Sequence, residues 1–95
     1  MFITITTSRG TPEQLQAATT FLSSFLPRLE QHPGVIAVYH YTRPEHGDDT
    51  TLIIWENEDA VRAYRASDLV REAIVFEQAN NLPATREGYP LEYPA

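Results

Sequence analysis

Three side chains are the main candidates for chemistry: His40, Trp55 and Tyr64. His40 lies between Tyr39 and Tyr41, and an imidazole can accept or donate a proton near neutral pH. Trp55 is the only tryptophan of the chain, and its ring could border a pocket for an aromatic ligand. Each candidate also has a purely structural interpretation, because aromatic rings fill cores and a strand histidine often serves as a hydrogen-bonded core or interface residue.

The other histidines and the aspartates near them are weaker candidates for a functional site. His46, Asp48 and Asp49 lie close together in sequence, but their spacing fits no established metal motif and their segment has the composition of a polar turn. His32 precedes a Pro-Gly pair at the end of a predicted helix, where the helix dipole favours a histidine. We therefore predict no metal site.

The composition excludes several classes of chemistry and partner. The chain has no cysteine, which excludes disulfides, thiolate nucleophiles and Cys-ligated metals, and no lysine, which excludes Schiff bases. A net charge of −6 argues against a nucleic-acid partner, because phosphates bind basic surfaces. No apolar run approaches the ~20 residues of a membrane span, and no signal-like segment follows Met1. We expect one cytoplasmic domain over residues 1–95, with no membrane partner.

The elements that must position these candidates can be predicted from periodicity and caps. Phe2–Ser8 alternates in the manner of a strand. Thr11 and Gln14 form a capping box that begins a helix. Pro27 falls inside its apolar stripe and is expected to kink the last turn or to end the helix near Leu26. The stripe has the spacing of one helical face and consists of Leu15, Ala18, Leu22, Phe25 and Leu29.

The second half of the chain predicts a hairpin, a broken helix and a last strand. The hairpin joins Val35–Thr42 to Thr50–Glu56, and its open register leaves undecided which sheet face holds His40. Asn57 can cap the helix that follows, and Ser67 marks a break and a second cap. The last strand must lie within TREGYPLEY.

This order of elements is β-α-β-β-α-β, which predicts an α+β fold of the ferredoxin-like type. Its antiparallel sheet carries two helices on one face. The predicted second strand is apolar on both of its sides, so the uncovered sheet face would expose a large apolar patch. A second copy packed sheet to sheet would bury that patch, and we therefore expect a homodimer.

Three segments, HPGVIAVYHY, LIIWENEDAVRAY and SDLV, together resemble the antibiotic biosynthesis monooxygenase domain of the dimeric α/β-barrel superfamily. That family typically has a helix ending in Pro-Gly, a strand ending in Trp, an acidic helix start with an Ala, and a Ser-rich break. Glu58, Asp59 and Ala60 match the acidic start, and Ser67 matches the break. The resemblance covers roughly residues 1–76 and implies a dimeric α/β barrel.

The resemblance also implies a function. Some members are cofactor-independent monooxygenases, in which a phenolic substrate loses a proton and its anion reacts with oxygen directly. By this comparison we predict a small aromatic, quinol or polyketide-like substrate and no cofactor. We also predict that Trp55 borders a cavity between sheet and helices, with Tyr64 close by. The predicted catalytic residues are His40, Trp55 and Tyr64; the predicted substrate-binding residues are Thr4, Thr6, Tyr39 and Tyr41.

Alternatives remain within the superfamily, which hosts several activities. A non-catalytic barrel could bind a small apolar ligand, and an isomerase or lyase could use His40 as its base. The haem-degrading branch is similar in outline, but a gapless comparison places Tyr64 at its second Trp, Ile74 at its haem-ligating His, and Thr6 or Thr7 near its first-strand Asn. The comparison therefore implies no haem degradation of that type.

Overall fold

The chain folds in the order predicted from its sequence, and a computed structural model describes residues 1–94. It is an α+β fold in which helices cover one face of a single four-stranded antiparallel sheet. A single 3-10 turn, Pro44–His46, connects the two strands of the hairpin. The strands and helices are β1 (Phe2–Arg9), α1 (Pro12–Glu30), β2 (Val35–Arg43), β3 (Asp48–Trp55), α2 (Glu58–Arg65), α3 (Asp68–Ala79) and β4 (Ala84–Pro90).

The strand order in the sheet is β2-β3-β1-β4, so β1 and β3 are the central strands. Residues directly opposite each other on antiparallel strands project to the same face. Because Ile53 belongs to the core, the register identifies the residues that face the helices together with it. On the two central strands these are Phe2, Thr4, Thr6 and Ser8 of β1, and Asp49, Thr51 and Trp55 of β3.

Helix α1 begins with the predicted capping box. The Thr11 hydroxyl accepts a hydrogen bond from the Gln14 N–H at 3.2 Å, and Gln14 Oε1 accepts one from the Thr11 N–H at 2.8 Å. The Gln14 amide also donates from Nε2 to the carbonyl oxygens of Asn80 and Asn81, at 3.0 and 3.1 Å. This one side chain therefore joins the start of α1 to the end of α3.

Pro27 does not end α1 near Leu26, which was one of its two predicted effects, and the helix continues to Glu30. A proline lacks the N–H that would bond to the carbonyl four residues earlier, here that of Ser23. Ser23 and Pro27 are both exposed, so this carbonyl is on the solvent side of the helix. Leu29 is 1% exposed, and its packing in the core holds the last turn in place.

The turn between α1 and β2 explains two of the family-like residues. Gly34 has a φ of +87°, a conformation that costs side chains other than glycine free energy. A Cβ atom added at Gly34 would collide with the Cβ of Ala60. The Gly34 carbonyl accepts a 2.8 Å hydrogen bond from the Glu56 N–H. A glycine and a small alanine are therefore required where the start of β2 meets α2.

The predicted caps of the later helices are confirmed. Asn57 Oδ1 accepts from the Ala60 N–H at 2.9 Å, and the Ser67 hydroxyl accepts from the Val70 N–H at 3.3 Å. The break at Ser67 divides the apolar stretch into α2 and α3, and both helices contribute to the core between the sheet and the helices. The buried core residues are Phe25, Leu29, Ile53, Trp55, Val61 and Ala73.

Strand β2 departs from the simple alternation expected for it. Its pairing with β3 shifts register between Val35 and Ala37, so Ile36 is the extra residue of a bulge and is 51% exposed. Beyond the bulge, His40 pairs with Thr51 and faces the helices. The helices of residues 1–94 include none that is long and apolar enough to cross a membrane.

Candidate functional site

A cavity of about 80 Å³ lies between the inner face of the sheet and the helices. Its helical side is mostly apolar and includes Phe21, Leu22, Phe25 and Leu26 of α1. Its sheet side carries oxygen-bearing side chains from the two central strands, so the helical wall of the cavity is mostly apolar and the sheet wall is polar. These polar side chains are Thr4, Thr6 and Ser8 of β1 with Asp49 and Thr51 of β3.

Trp55 does not itself line this cavity, contrary to the prediction. Its side chain is completely buried, and its Nε1–H donates a 2.8 Å hydrogen bond to Thr4 Oγ1. Its ring centroid lies 5.3 Å from that of Tyr64. Thr4 and Tyr64 do line the cavity, so Trp55 supports its wall from behind. The expected proximity of Tyr64 to Trp55 is confirmed.

Tyr64 is a neutral phenol under ordinary conditions. Burial raises the pKa of its hydroxyl to about 12, because the phenolate would lose hydration. The hydroxyl can therefore donate a hydrogen bond near neutral pH but cannot act as a base there. The imidazole of His32, in the turn between α1 and β2, contacts Tyr64 and Trp55 in T-shaped arrangements, at centroid distances of 5.5 and 6.2 Å.

His40 faces the helices, but it lies beside the cavity rather than in its wall. Its Nε2 is 3.6 Å from Asp49 Oδ2, just beyond hydrogen-bonding distance. Neither atom has a hydrogen-bond partner among the described residues, and the Asp49 side chain is only 5% exposed. Asp49 lines the cavity, whereas His40 does not.

Asp49 is the functional candidate that sequence reasoning missed. The segment before Thr50 has the composition of a polar turn, but β3 begins two residues earlier, at Asp48. Counting back in twos from Ile53, through Thr51, places Asp49 on the inner face, and that alternation was the available signal. Asp48 faces the other way and accepts hydrogen bonds of 3.0 and 2.7 Å from Arg43. That guanidinium holds the pKa of the Asp48 carboxyl below its ordinary value.

Tyr39 and Tyr41 are not cavity residues, which corrects their predicted role there. Successive strand residues point to opposite faces, so the inward orientation of His40 directs both tyrosines outward. Their side chains are exposed on the sheet face that carries no helix. The predicted site residues that line the cavity are therefore Thr4, Thr6 and Tyr64.

An ion pair closes another part of the cavity wall. Arg86 of β4 donates two hydrogen bonds to the Glu77 carboxylate of α3, at 2.9 and 2.6 Å, and both side chains line the cavity. Residues 1–94 contain no group of three or more His, Asp or Glu side chains placed to hold a metal ion. Ile74, at the position compared with a haem ligand, is an apolar side chain of α3 and cannot coordinate iron.

Comparison with solved structures finds proteins of the same fold. A Deinococcus radiodurans protein, provisionally described as an antibiotic biosynthesis monooxygenase, superimposes with a TM-score of 0.90 over 100% of this chain and 96% of its own, at 18% identity. A conserved protein from Methanosarcina mazei Go1 has a TM-score of 0.81 at 17% identity, covering 96% of this chain and 92% of its own. A Bacteroides thetaiotaomicron protein of unknown function has a TM-score of 0.81 at 13% identity, covering 95% and 96%.

At such low identities these likenesses establish the fold alone. No functionally curated protein matches the sequence. The family model for antibiotic biosynthesis monooxygenases, however, matches residues 1–75, which include β1 to β3, α1, α2 and most of α3. The chain belongs to the antibiotic biosynthesis monooxygenase family.

Proposed function

We propose that this protein is a cofactor-independent monooxygenase that oxidises a single-ring phenol or hydroquinone with molecular oxygen. The observation that carries the proposal is the cavity, which combines an apolar helical side with hydroxyls and the buried Asp49 carboxylate on its sheet side. Such a site encloses an aromatic ring and offers polar contacts to its substituents. Membership of the family supports the reaction class.

The chemistry requires little from the protein. A hydroquinone loses a phenolic proton, and its anion transfers an electron to oxygen. Recombination of the resulting radicals forms a hydroperoxide at a ring carbon. Loss of water from that hydroperoxide leaves a hydroxyquinone, so one oxygen atom enters the product and the other leaves as water. The protein must supply an acceptor for the first proton and a donor near the developing oxyanion. The Asp49–His40 pair and the neutral Tyr64 hydroxyl are suited to these two tasks.

The volume of the cavity narrows the substrate class. A space of about 80 Å³ holds roughly six water molecules at ~10–15 Å³ each. That is about the size of one substituted aromatic ring, whereas an aromatic polyketide of several fused rings is larger. We therefore favour single-ring substrates over the polyketide-like ones that the family resemblance also allowed.

The proposal is tested by oxygen consumption. The purified protein is mixed with a panel of methyl-substituted hydroquinones at pH 6.5, with a chelator and without added cofactor, against a heat-denatured blank that measures autoxidation. We expect at least one hydroquinone to be consumed faster than the blank, with one atom of labelled oxygen per product molecule in ¹⁸O₂. Rates equal to the blank for the whole panel would contradict the proposal.

One observation favours a second function, that of a binding protein without catalysis. Of the three predicted catalytic residues, only Tyr64 lines the cavity. A barrel that only binds a small aromatic molecule would give saturable binding of the same hydroquinones with no oxygen uptake. The isomerase or lyase alternative needs His40 in contact with the substrate, and the position of His40 beside the cavity gives it no support.

A further inference from the structure

Asp49 is in an unusual environment for a carboxylate, because it is buried and one of its oxygens has no hydrogen-bond partner within residues 1–94. Its side chain is 5% exposed, it lines the cavity, and its Oδ2 has no hydrogen-bond partner among the described residues. Burying a carboxylate costs free energy unless the group is paired or hydrogen-bonded. The nearest cation-forming group is His40, whose Nε2 lies 3.6 Å away and lacks a partner too.

We propose that Asp49 is the specificity-determining residue of the cavity and that it binds ligands carrying a hydroxyl group, with His40 orienting its carboxylate. Naming the ligand a phenol rests on the proposed function, but the hydroxyl preference follows from the site itself. An ionised carboxylate only accepts hydrogen bonds, so it favours a ligand that donates one. It also repels a ligand that brings a second carboxylate into the same cavity.

His40 acts through Asp49 and is a positioning residue. Its Nε2 lies 3.6 Å from Asp49 Oδ2, so a small movement of either side chain would form a hydrogen bond that orients the carboxylate. Thr51 is directly opposite His40 on the neighbouring strand, and Ser8 is directly opposite Asp49. Hydroxyl groups can donate or accept a hydrogen bond, so these two tolerate either kind of ligand, and the preference between ligands comes from the Asp49 carboxylate.

The test is calorimetric binding in the absence of oxygen, which requires no turnover. Three single-ring probes are compared: hydroquinone, which donates hydrogen bonds; 1,4-difluorobenzene, which is similar in size and donates none; and benzoate, which is anionic. The intact protein is expected to bind hydroquinone at least about tenfold more tightly than either of the others, because hydrogen bonds to charged groups are the stronger class.

Asp49→Asn removes the charge and keeps the shape of the side chain. We expect hydroquinone to bind about tenfold more weakly and benzoate to bind more tightly, while 1,4-difluorobenzene changes by less than about threefold. Changes of opposite sign distinguish a charge effect from damage to the cavity, which would weaken all three probes. His40→Gln should reduce the preference for hydroquinone in the same direction, because Asp49 loses the imidazole that orients its carboxylate.

Asp48→Asn is the matched control, since Asp48 is the adjacent buried aspartate and faces away from the cavity. It should preserve the order of the three affinities. The proposal is overturned if Asp49→Asn keeps the preference for hydroquinone, or if Asp48→Asn abolishes it equally. A hydroquinone preference that depends on Asp49, in a protein that consumes no oxygen, would leave this inference standing and reject the monooxygenase.

Discussion

The indole N–H of Trp55, at the end of β3, donates a 2.8 Å hydrogen bond to the hydroxyl of Thr4 on β1. The Thr4 oxygen is the acceptor in this contact, so the hydroxyl proton of Thr4 remains available for another partner. Because Thr4 lines the cavity and Trp55 does not, the tryptophan acts on the cavity only through the residues in front of it. Trp55 is therefore a supporting residue of the site.

This relationship predicts an energetic coupling between Trp55 and Thr4. Trp55→Phe removes the donor and Thr4→Val removes the acceptor, and each should lower the free energy of unfolding. The double variant should lose about 1 kcal/mol less than the sum of the two, because the pair shares one buried hydrogen bond. Trp55→Ala should cost ~3–5 kcal/mol, since it also leaves a void.

Urea denaturation followed by circular dichroism measures these values without relying on tryptophan fluorescence. Tyr93→Phe, at a side chain that is 90% exposed, is the control and should change the stability by less than ~0.5 kcal/mol. If the two single substitutions lower the free energy of unfolding by strictly additive amounts, the hydrogen bond contributes nothing to stability.

The buried Tyr64 hydroxyl predicts a loss of stability in alkali. Its pKa is about 12 in the folded protein, against ~10 in an unfolded chain. The folded state thus holds this proton more tightly than the unfolded chain does. The protonated Tyr64 hydroxyl therefore makes its full contribution to the free energy of unfolding below pH ~10, and that contribution is lost as the pH rises towards 12. Tyr64→Phe should therefore lose ~2–3 kcal/mol less stability than the unmodified protein over this range. Urea midpoints at successive pH values measure the difference, and parallel curves for the two proteins would contradict it.

The Arg43–Asp48 pair predicts the opposite behaviour in acid. Arg43 lowers the pKa of Asp48 in the folded state. The pair therefore stabilises the fold at pH values above the aspartate pKa of ~3.9 in the unfolded chain, and this stabilisation is lost as the pH falls. Asp48→Asn has no such charge to lose. Its melting temperature should therefore fall less between pH 5 and pH 3 than that of the unmodified protein. Thermal melts across this range test it, and an identical acid dependence in both proteins would count against the pair.

We also propose that the uncovered sheet face is a homodimer interface. Tyr39, Tyr41 and Tyr89 are 60%, 46% and 50% exposed there, and a specific interface buries about 1,000 Å² or more. Light scattering at micromolar concentration should give twice the chain mass of 10.8 kDa. Tyr39→Glu should reduce that value to the monomer mass, whereas Tyr93→Glu should not. A monomer in the unmodified protein rejects the proposal.

Local sequence signals predicted the fold well because each one has a local physical cause. The caps at Thr11, Asn57 and Ser67 satisfy backbone N–H groups within three residues, so they can be recognised without knowing any tertiary contact. The end of α1 was harder to predict. The continuation of the helix past Pro27 depends on the burial of Leu29, which is a tertiary effect.

The site was predicted less completely, because its membership depends on register and on packing depth. Asp49 was hidden by uncertainty over where β3 begins, and a strand start is among the least predictable boundaries. Tyr39 and Tyr41 have the right chemistry but lie on the wrong face, which only the pairing of His40 with Thr51 decides. Trp55 is on the expected face, yet whether it touches the cavity depends on the side chains in front of it.

The double attachment of Gln14 links two parts of the chain that are 66 residues apart. Fraying of the first turn of α1 would release the Asn80 and Asn81 carbonyls, and with them the segment that carries Leu82, a 3% exposed cavity residue. The two helix ends should therefore open as one unit in hydrogen exchange, with similar protection at both. Opening of this cavity wall should therefore be controlled by Gln14, a side chain that does not line the cavity.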